Sequence, residues 1–175
     1  MEKFLSIEEL TQVDRRNLYF VDDEGNHRSL EQLHDLLSQE TLNAEIPDDL
    51  KSQFNIAKTM ALYTYYYYAL APEVHLKTYL IIEHALRLKL KPKNRHEATL
   101  NPMLRAAVKK KLICDSGFRS FNQSEPGIEK CTQMIKAISH LRNSKAHGSS
   151  FLMGDCMMQI SVCADFLNQL YSPNS

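Results

Sequence analysis

Glycine and proline are scarce, at five and six of 175 residues, so little interrupts regular structure. Long windows carry apolar residues three and four apart rather than in strict alternation, a pattern that favours helices. No apolar run reads as a membrane span, because the longest windows, around Met60 to Ala71 and Tyr79 to Leu86, are broken by Pro72, Glu73, Lys77 and Glu83. The opening MEKFLSIEEL lacks the charged-then-apolar pattern of a secretory leader, which leads us to expect a soluble, cytoplasmic protein. CxxC pairs are missing too. The four cysteines, Cys114, Cys131, Cys156 and Cys163, lie mostly among apolar neighbours, so buried reduced thiols are expected in place of a disulfide framework or a zinc knuckle. No internal repeat or low-complexity linker divides the chain.

Net charge is absent as well, with 21 Lys and Arg against 21 Asp and Glu. The charges are nevertheless segregated. Residues 1–50 hold thirteen acids against four bases, whereas residues 87–111 hold nine bases against the single acid Glu97. Arg87, Lys89, Lys91, Lys93, Arg95, Arg105 and Lys109 to Lys111 could follow a phosphate backbone by releasing its counterions. A solvated helix end followed by a linker explains the same run without a partner.

Residues 1–45 read as a small N-terminal extension or cap, and residues 46–172 as a helical bundle. Within the extension, Ser6 with Glu9 and Ser29 with Gln32 have capping-box spacing, which predicts two short helix starts. The β-prone LYFVDDEGNHRSL between them predicts a short hairpin or an extended loop. Pro47, Asp48 and Asp49 suit the first turn of a long helix running to about Ala69 or Leu70. That helix would carry five tyrosines in the six positions from Tyr63 to Tyr68, pointing in every direction and so serving both core and surface. Pro72 either kinks it or starts another. In the segment up to about Lys91, Leu76, Tyr79, Leu80, Leu86 and Leu90 form the core stripe with Glu83 in its middle. Pro92 ends that helix. A shorter one runs from about Met103 to Ile113, then a loop from Asp115 to Gly127. A fourth major helix runs from near Pro126, with Ser124 as cap, to His147, with Gly148 at the C′ position beyond its end. A last helix, from about Gly154 to Leu170, presents Met157, Ile160, Cys163, Ala164, Phe166, Leu167 and Leu170. Four or five helices with short connections predict an all-α, up-and-down bundle.

The helix ending in SHLRNSKAHG buries Cys131, Met134, Ile135, Ile138 and Leu141. At about 100° per residue, Arg142 and Lys145 continue that face while Asn143 and His147 lie nearly opposite, joined by His140. Convergence of Arg142 with His147 therefore needs arginine to lean across the helix end. Glu83 and Arg142 are each an ion on an otherwise apolar stripe of a helix facing the interior, and a lone buried charge is costly. They are expected to pair, leaving guanidinium donors free for a phosphate oxygen. The alternative is that the pair only fixes helix register.

LRNSKAHG resembles the Arg-Asn-x-x-x-His motif of the HEPN superfamily, the higher eukaryote and prokaryote nucleotide-binding domains. ALYTYYYYALAPEVHLKTYLIIEHALRLKL is similar to that family's aromatic long helix and the Glu-x-Ala-Leu-Arg segment after it. The resemblance spans about Pro47 to Tyr171. It implies an all-α bundle, usually a homodimer, whose two motifs meet in one RNA-cleaving cleft without metal or other cofactor. On this chain it implies His147 as general acid or base, Arg142 on the scissile phosphate, and Asn143 orienting either.

RNA supplies its own nucleophile, the 2′-hydroxyl, so a group that moves a proton near neutral pH and a cation facing the developing charge suffice. Glu83, His140 and Ser144 are supporting candidates, and Lys145, Arg87, Lys89, Lys91, Lys93 and Arg95 are RNA-binding candidates. A metal held by His140 and His147 is not expected, since two histidines seven apart lack further ligands. The leading expectation is an RNA endonuclease of the toxin or phage-defence kind. Its rival is a non-catalytic interaction module, for instance the partner of a nucleotidyltransferase or an antitoxin. A third reading is a ligand-binding bundle with the tyrosines as pocket wall.

Overall fold

The computed structural model describes residues 2–21, 24–120, 127–146 and 156–172, with Ser139 and residues 143–146 described by backbone alone. Its α-helices are α1 (Leu30–Gln39), α2 (Asp48–Tyr63), α3 (Ala71–Leu90), α4 (Leu100–Lys109), α5 (Glu129–Ala146) and α6 (Cys156–Leu170). The protein is all-α. Among the described residues the β-prone run yields one isolated antiparallel bridge, Val21 to His27, around a turn where Gly25 takes a φ of 84°, a left-handed value that suits a residue without Cβ. No described helix is long and apolar enough to cross a membrane.

Local signals set several helix boundaries. Ser29 and Gln32 form the full capping box of α1, satisfying two amide donors that the first turn leaves orphaned. Asp48 and Asp49 occupy the first turn of α2, where carboxylates complement the macrodipole. Pro72 lies in the first turn of α3, so it opens a new helix where its missing N–H costs nothing. The Ser6–Glu9 pair also forms both reciprocal bonds, but around a 3-10 turn, Glu9–Thr11, rather than an α-helix. A second 3-10 turn covers Arg15–Tyr19.

The long tyrosine helix does not form. Helix α2 stops at Tyr63, and polar groups of the N-terminal segment take the bonds that would have continued it. Asn17 Nδ2 donates to the carbonyls of Thr64 and Tyr65, each at 2.9 Å. The Asp14 amide donates to Tyr65 O at 3.0 Å, while the Tyr68 amide, which an unbroken helix would direct at Thr64 O, donates to Asp14 Oδ2 at 2.9 Å. Tyr68 is buried, with Phe20 at 5.8 Å and the Arg16 guanidinium 5.5 Å from its ring centroid. Tyr65, Tyr66 and Tyr67 are half-buried. Cover for these rings comes from the chain's own N-terminal segment.

Helices α2, α3, α5 and α6 alternate in direction. Asp49 and Gln53 of α2 meet His84 of α3, and Gln53 also meets Lys77, so these two helices run antiparallel. Gln159 and Cys163 of α6 meet Thr78, and Tyr171 meets Ala85, so α6 runs parallel to α3. Helix α5 starts beside Asp115, next to the end of α6, where Cys114 N donates to Gln169, and returns past Glu83. The α5 cap is not local: Asp115 accepts from the amides of Cys131 at 2.7 Å and Lys130 at 3.2 Å. Ser124 lies outside the described residues.

Helix α3 is central, touching α2, α4, α5 and α6, and the single stripe expected for it is too narrow. Val74, Thr78, Ile81, Ile82 and Ala85 are buried alongside Tyr79 and Leu86, while Leu80 is 42% exposed, because packing on several sides leaves only a thin outer edge. The α6 face matches its periodicity, with Ile160, Cys163, Ala164, Phe166, Leu167 and Leu170 all fully buried. The cysteines are free thiols, three buried and Cys114 half-buried; burial pushes the Cys163 thiol up from its ordinary value. One guanidinium binds the extension to the bundle: Arg119 donates to Glu40 at 2.5 Å and to Asp165 at 2.7 Å. Asn43, also in the extension, bonds Asn168 of α6 through its amide at 2.8 Å.

Candidate functional site

Glu83 sits midway along the central helix, 6% exposed, and its carboxylate is shared. Oε1 accepts from Arg87 Nη2 at 2.5 Å, one helical turn along, and Oε2 accepts from Arg142 Nη2 at 3.0 Å, across on α5. The expected ion pair between Glu83 and Arg142 therefore forms, and Arg87 joins it. Charge-assisted bonds at both oxygens meet the requirement for burying a carboxylate. Periodicity puts both ions on inward faces, while the third member follows from the i, i+4 stacking of Glu83 and Arg87.

The pair holds Arg142 by one terminal nitrogen. Its Nε is buried and has no hydrogen-bond partner among the described residues. The Arg87 side chain remains half exposed. Two guanidinium groups thus converge on one buried anion near the outer edge of the α3/α5 seam, an arrangement that can present N–H donors to a second anion.

The other expected site residues divide by position along α5. His140 is exposed, two residues before Arg142. Asn143, Ser144 and Lys145 belong to α5 by backbone, and their side chains fall outside the described set. His147 lies outside the described residues, as does Gly148. Among the described residues no group of three or more His, Cys, Asp or Glu side chains could hold a metal ion.

The basic stretch continues from Arg87 past the end of α3. Lys89 stands over the Tyr171 ring at 5.5 Å, a cation–π contact. Lys91 closes the helix with a left-handed φ of 47°, and Lys91, Lys93 and Arg95 are exposed. Glu97, the single acid here, accepts from the Lys93 amide at 3.1 Å and from Asn94 Nδ2 at 2.7 Å. Its carboxylate organises the loop instead of neutralising an ammonium, and among the described residues Lys91, Lys93 and Arg95 enter no ion pair.

Tyr65 and Tyr68 do not wall a ligand pocket, whereas Tyr66 and Tyr67 line an open hollow of about 600 Å³ whose other walls, Glu2, Lys3, Glu9, Arg15 and Arg16 among them, are largely charged. The cavity beside Tyr65 and Tyr68, also lined by Asn17, Phe20 and Thr64, has a volume of about 20 Å³, room for one water. The Arg119 bridge between Glu40 and Asp165, the Asp14 and Asn17 attachment, and the Asp115 cap are not legible from sequence, because each joins side chains through tertiary contact with no shared periodicity. No protein-family model, curated protein or solved structure matches this chain.

Proposed function

We propose that this protein is a metal-independent RNA endonuclease of HEPN type, of the toxin or phage-defence class, working as a homodimer with the cleft where the two α5 ends meet. The observation that supports this reading is the pairing of Glu83 with Arg142, which holds a guanidinium within the last turn and a half of α5. The all-α fold is compatible with the helical bundle that the HEPN resemblance implies.

In the proposed reaction the 2′-hydroxyl of one nucleotide attacks the adjacent phosphorus. His147 of one copy takes the hydroxyl proton, Arg142 stabilises the charge growing on the non-bridging oxygens, and His147 of the other copy protonates the departing 5′-oxygen. Asn143 orients either group. The products are a 2′,3′-cyclic phosphate and a 5′-hydroxyl, and DNA is not cut. Arg87, Lys89, Lys91, Lys93, Arg95 and Lys145 contact the backbone, with His140 and Ser144 at the cleft margin. Because the N-terminal segment already covers Tyr65 to Tyr68, the case for a second copy rests on the need for two sets of catalytic groups.

Incubation of the purified protein with RNA in EDTA tests the proposal. Cleavage should leave cyclic phosphate ends, and His147→Ala should abolish it while the helical circular dichroism stays unchanged. Cleavage surviving in His147→Ala would remove that residue from the mechanism. The rival reading, a non-catalytic interaction module, is favoured by the full occupancy of Glu83 by two guanidinium groups, as expected of a device that fixes helix register. It requires that wild type leave RNA intact and form a stable complex with another chain.

A further inference from the structure

The charges gathered at Glu83 do not cancel. Arg87 and Arg142 share its single carboxylate, so the trio carries a surplus of one positive charge. One guanidinium would neutralise the buried anion, and the second exceeds it. Exposure is divided in the same sense: the Glu83 side chain is 7% exposed, Arg142 29% and Arg87 53%. The carboxylate is thus sealed from water while both cations keep an outward part. An anion arriving from solvent meets guanidinium donors, with the opposing charge behind them.

Arg87 also joins this centre to the bases beyond it. Glu83, Arg87 and Lys91 recur at four-residue spacing on α3, about 6 Å apart along the axis, and Lys91 is exposed. The acids nearest to this line are engaged elsewhere. Asp49 of α2 meets His84, and Glu97 accepts from the Lys93 amide and from Asn94. A surplus of one matches an internal phosphodiester, which bears one negative charge, better than a phosphomonoester, which bears about 1.5 to 2 at neutral pH.

We infer that Glu83, Arg87 and Arg142 form the binding site for one internal phosphodiester of RNA, in which Glu83 cancels one guanidinium and Arg87 supplies the charge that holds the anion. Glu83 therefore restrains affinity even as it fixes Arg142. The inference rests on the reading of Arg142 as a phosphate ligand, and it concerns binding alone. Its test uses the full chain and a fluorescent 2′-O-methyl RNA oligonucleotide, which keeps the phosphodiesters but has no free 2′-hydroxyl to attack, followed by anisotropy. Arg87→Met, which retains the apolar stem and loses the charge, should raise the Kd about fivefold or more. Glu83→Gln should lower it by a similar factor, although the same substitution slows cleavage of ordinary RNA. The double variant should return close to wild type. Asp35→Asn, which removes an exposed acid of α1, should leave the Kd unchanged.

Tighter binding by Glu83→Gln is an outcome that loss of structure does not produce. Wild-type affinity in Arg87→Met would overturn the inference, as would a Glu83→Gln variant that binds no tighter than wild type or no tighter than Asp35→Asn. Failure of the nuclease reading looks different: the expected shifts in Kd would appear while wild type leaves ordinary RNA intact. Cleavage of RNA without those shifts would overturn the present inference and spare that reading, and a wild type that does not bind the oligonucleotide would overturn both.

Discussion

Arg142 reaches across from α5 to place a terminal nitrogen 3.0 Å from Glu83, fifty-nine residues earlier on α3. Removing the carboxylate leaves two guanidinium groups facing each other with no anion between them. Glu83→Gln should therefore lower unfolding free energy by about 1–3 kcal/mol, below the range for a fully buried pair because both arginines keep some solvent. Urea denaturation measures this. If the pair also aims Arg142 at RNA, cleavage by the still-folded variant should fall well beyond what its unfolded fraction accounts for.

Arg142→Lys distinguishes a charge from a fork. Lysine retains the ion pair with Glu83 but offers no planar set of donors. Under the nuclease reading, kcat should fall about a hundredfold or more, in line with removal of a preorganised donor to a developing oxyanion, while thermal stability changes little. Unchanged turnover would assign Arg142 to packing.

Asp14→Ala should release the N-terminal segment from the α2–α3 junction. Its carboxylate accepts from the Tyr68 and Arg16 amides and pairs with Arg16. Burial works to raise its pKa, but these donors outweigh it and hold the carboxyl below its ordinary value. Losing two backbone bonds should cost about 1–3 kcal/mol. Hydrogen exchange should accelerate at Tyr65 to Tyr68 more than in α6.

Asp115 gives a pH dependence of known sign. Burial tends to raise its pKa, yet the amides of Cys131 and Lys130 hold the carboxyl below its ordinary value. A folded pKa below the unfolded one, about 3.9, adds stability that is complete above the unfolded value and disappears as pH falls through the folded value. Wild type should exceed Asp115→Asn by about 1 kcal/mol at neutral pH, with the gap closing below pH about 4. Urea midpoints across a pH series read this directly.

The exposed lysines past α3 can be assessed through salt. Replacing Lys91, Lys93 and Arg95 together by Ala should weaken single-stranded RNA binding and reduce the slope of log K against log salt by about 0.7 for each phosphate no longer neutralised. Titrations at several salt concentrations measure it. An unchanged slope would return these residues to the solvated linker.

Features fixed by neighbours in sequence are legible in it: the Ser29 capping box, the acidic start of α2, Pro72 in the first turn of α3, and the apolar face of α6. Glu83 and Arg142 are legible for a different reason, since each is an ion on a stripe that must turn inward and only an opposite charge relieves it. The break after Tyr63 is not. Tyrosine is compatible with a continuing helix, and what ends it is Asp14, fifty-four residues before the amide it accepts from. Capping rules are local and point to the nearby loop for α5, whereas the acceptor is Asp115, sixteen residues ahead of Cys131. A period describes a single contact face, so it predicts one stripe for α3, and the central member of a bundle has several.

The Arg119 bridge makes the extension inseparable from the rest of the fold. Proteolysis near residue 45 that let the first piece diffuse away would remove Glu40 from Arg119 and from the Ser161 hydroxyl that donates to it, and would strip Asn168 of its two bonds with Asn43. The shortened chain would then meet water along one flank of α6, so trimming at this boundary should yield a protein that melts earlier and aggregates, rather than a self-sufficient bundle.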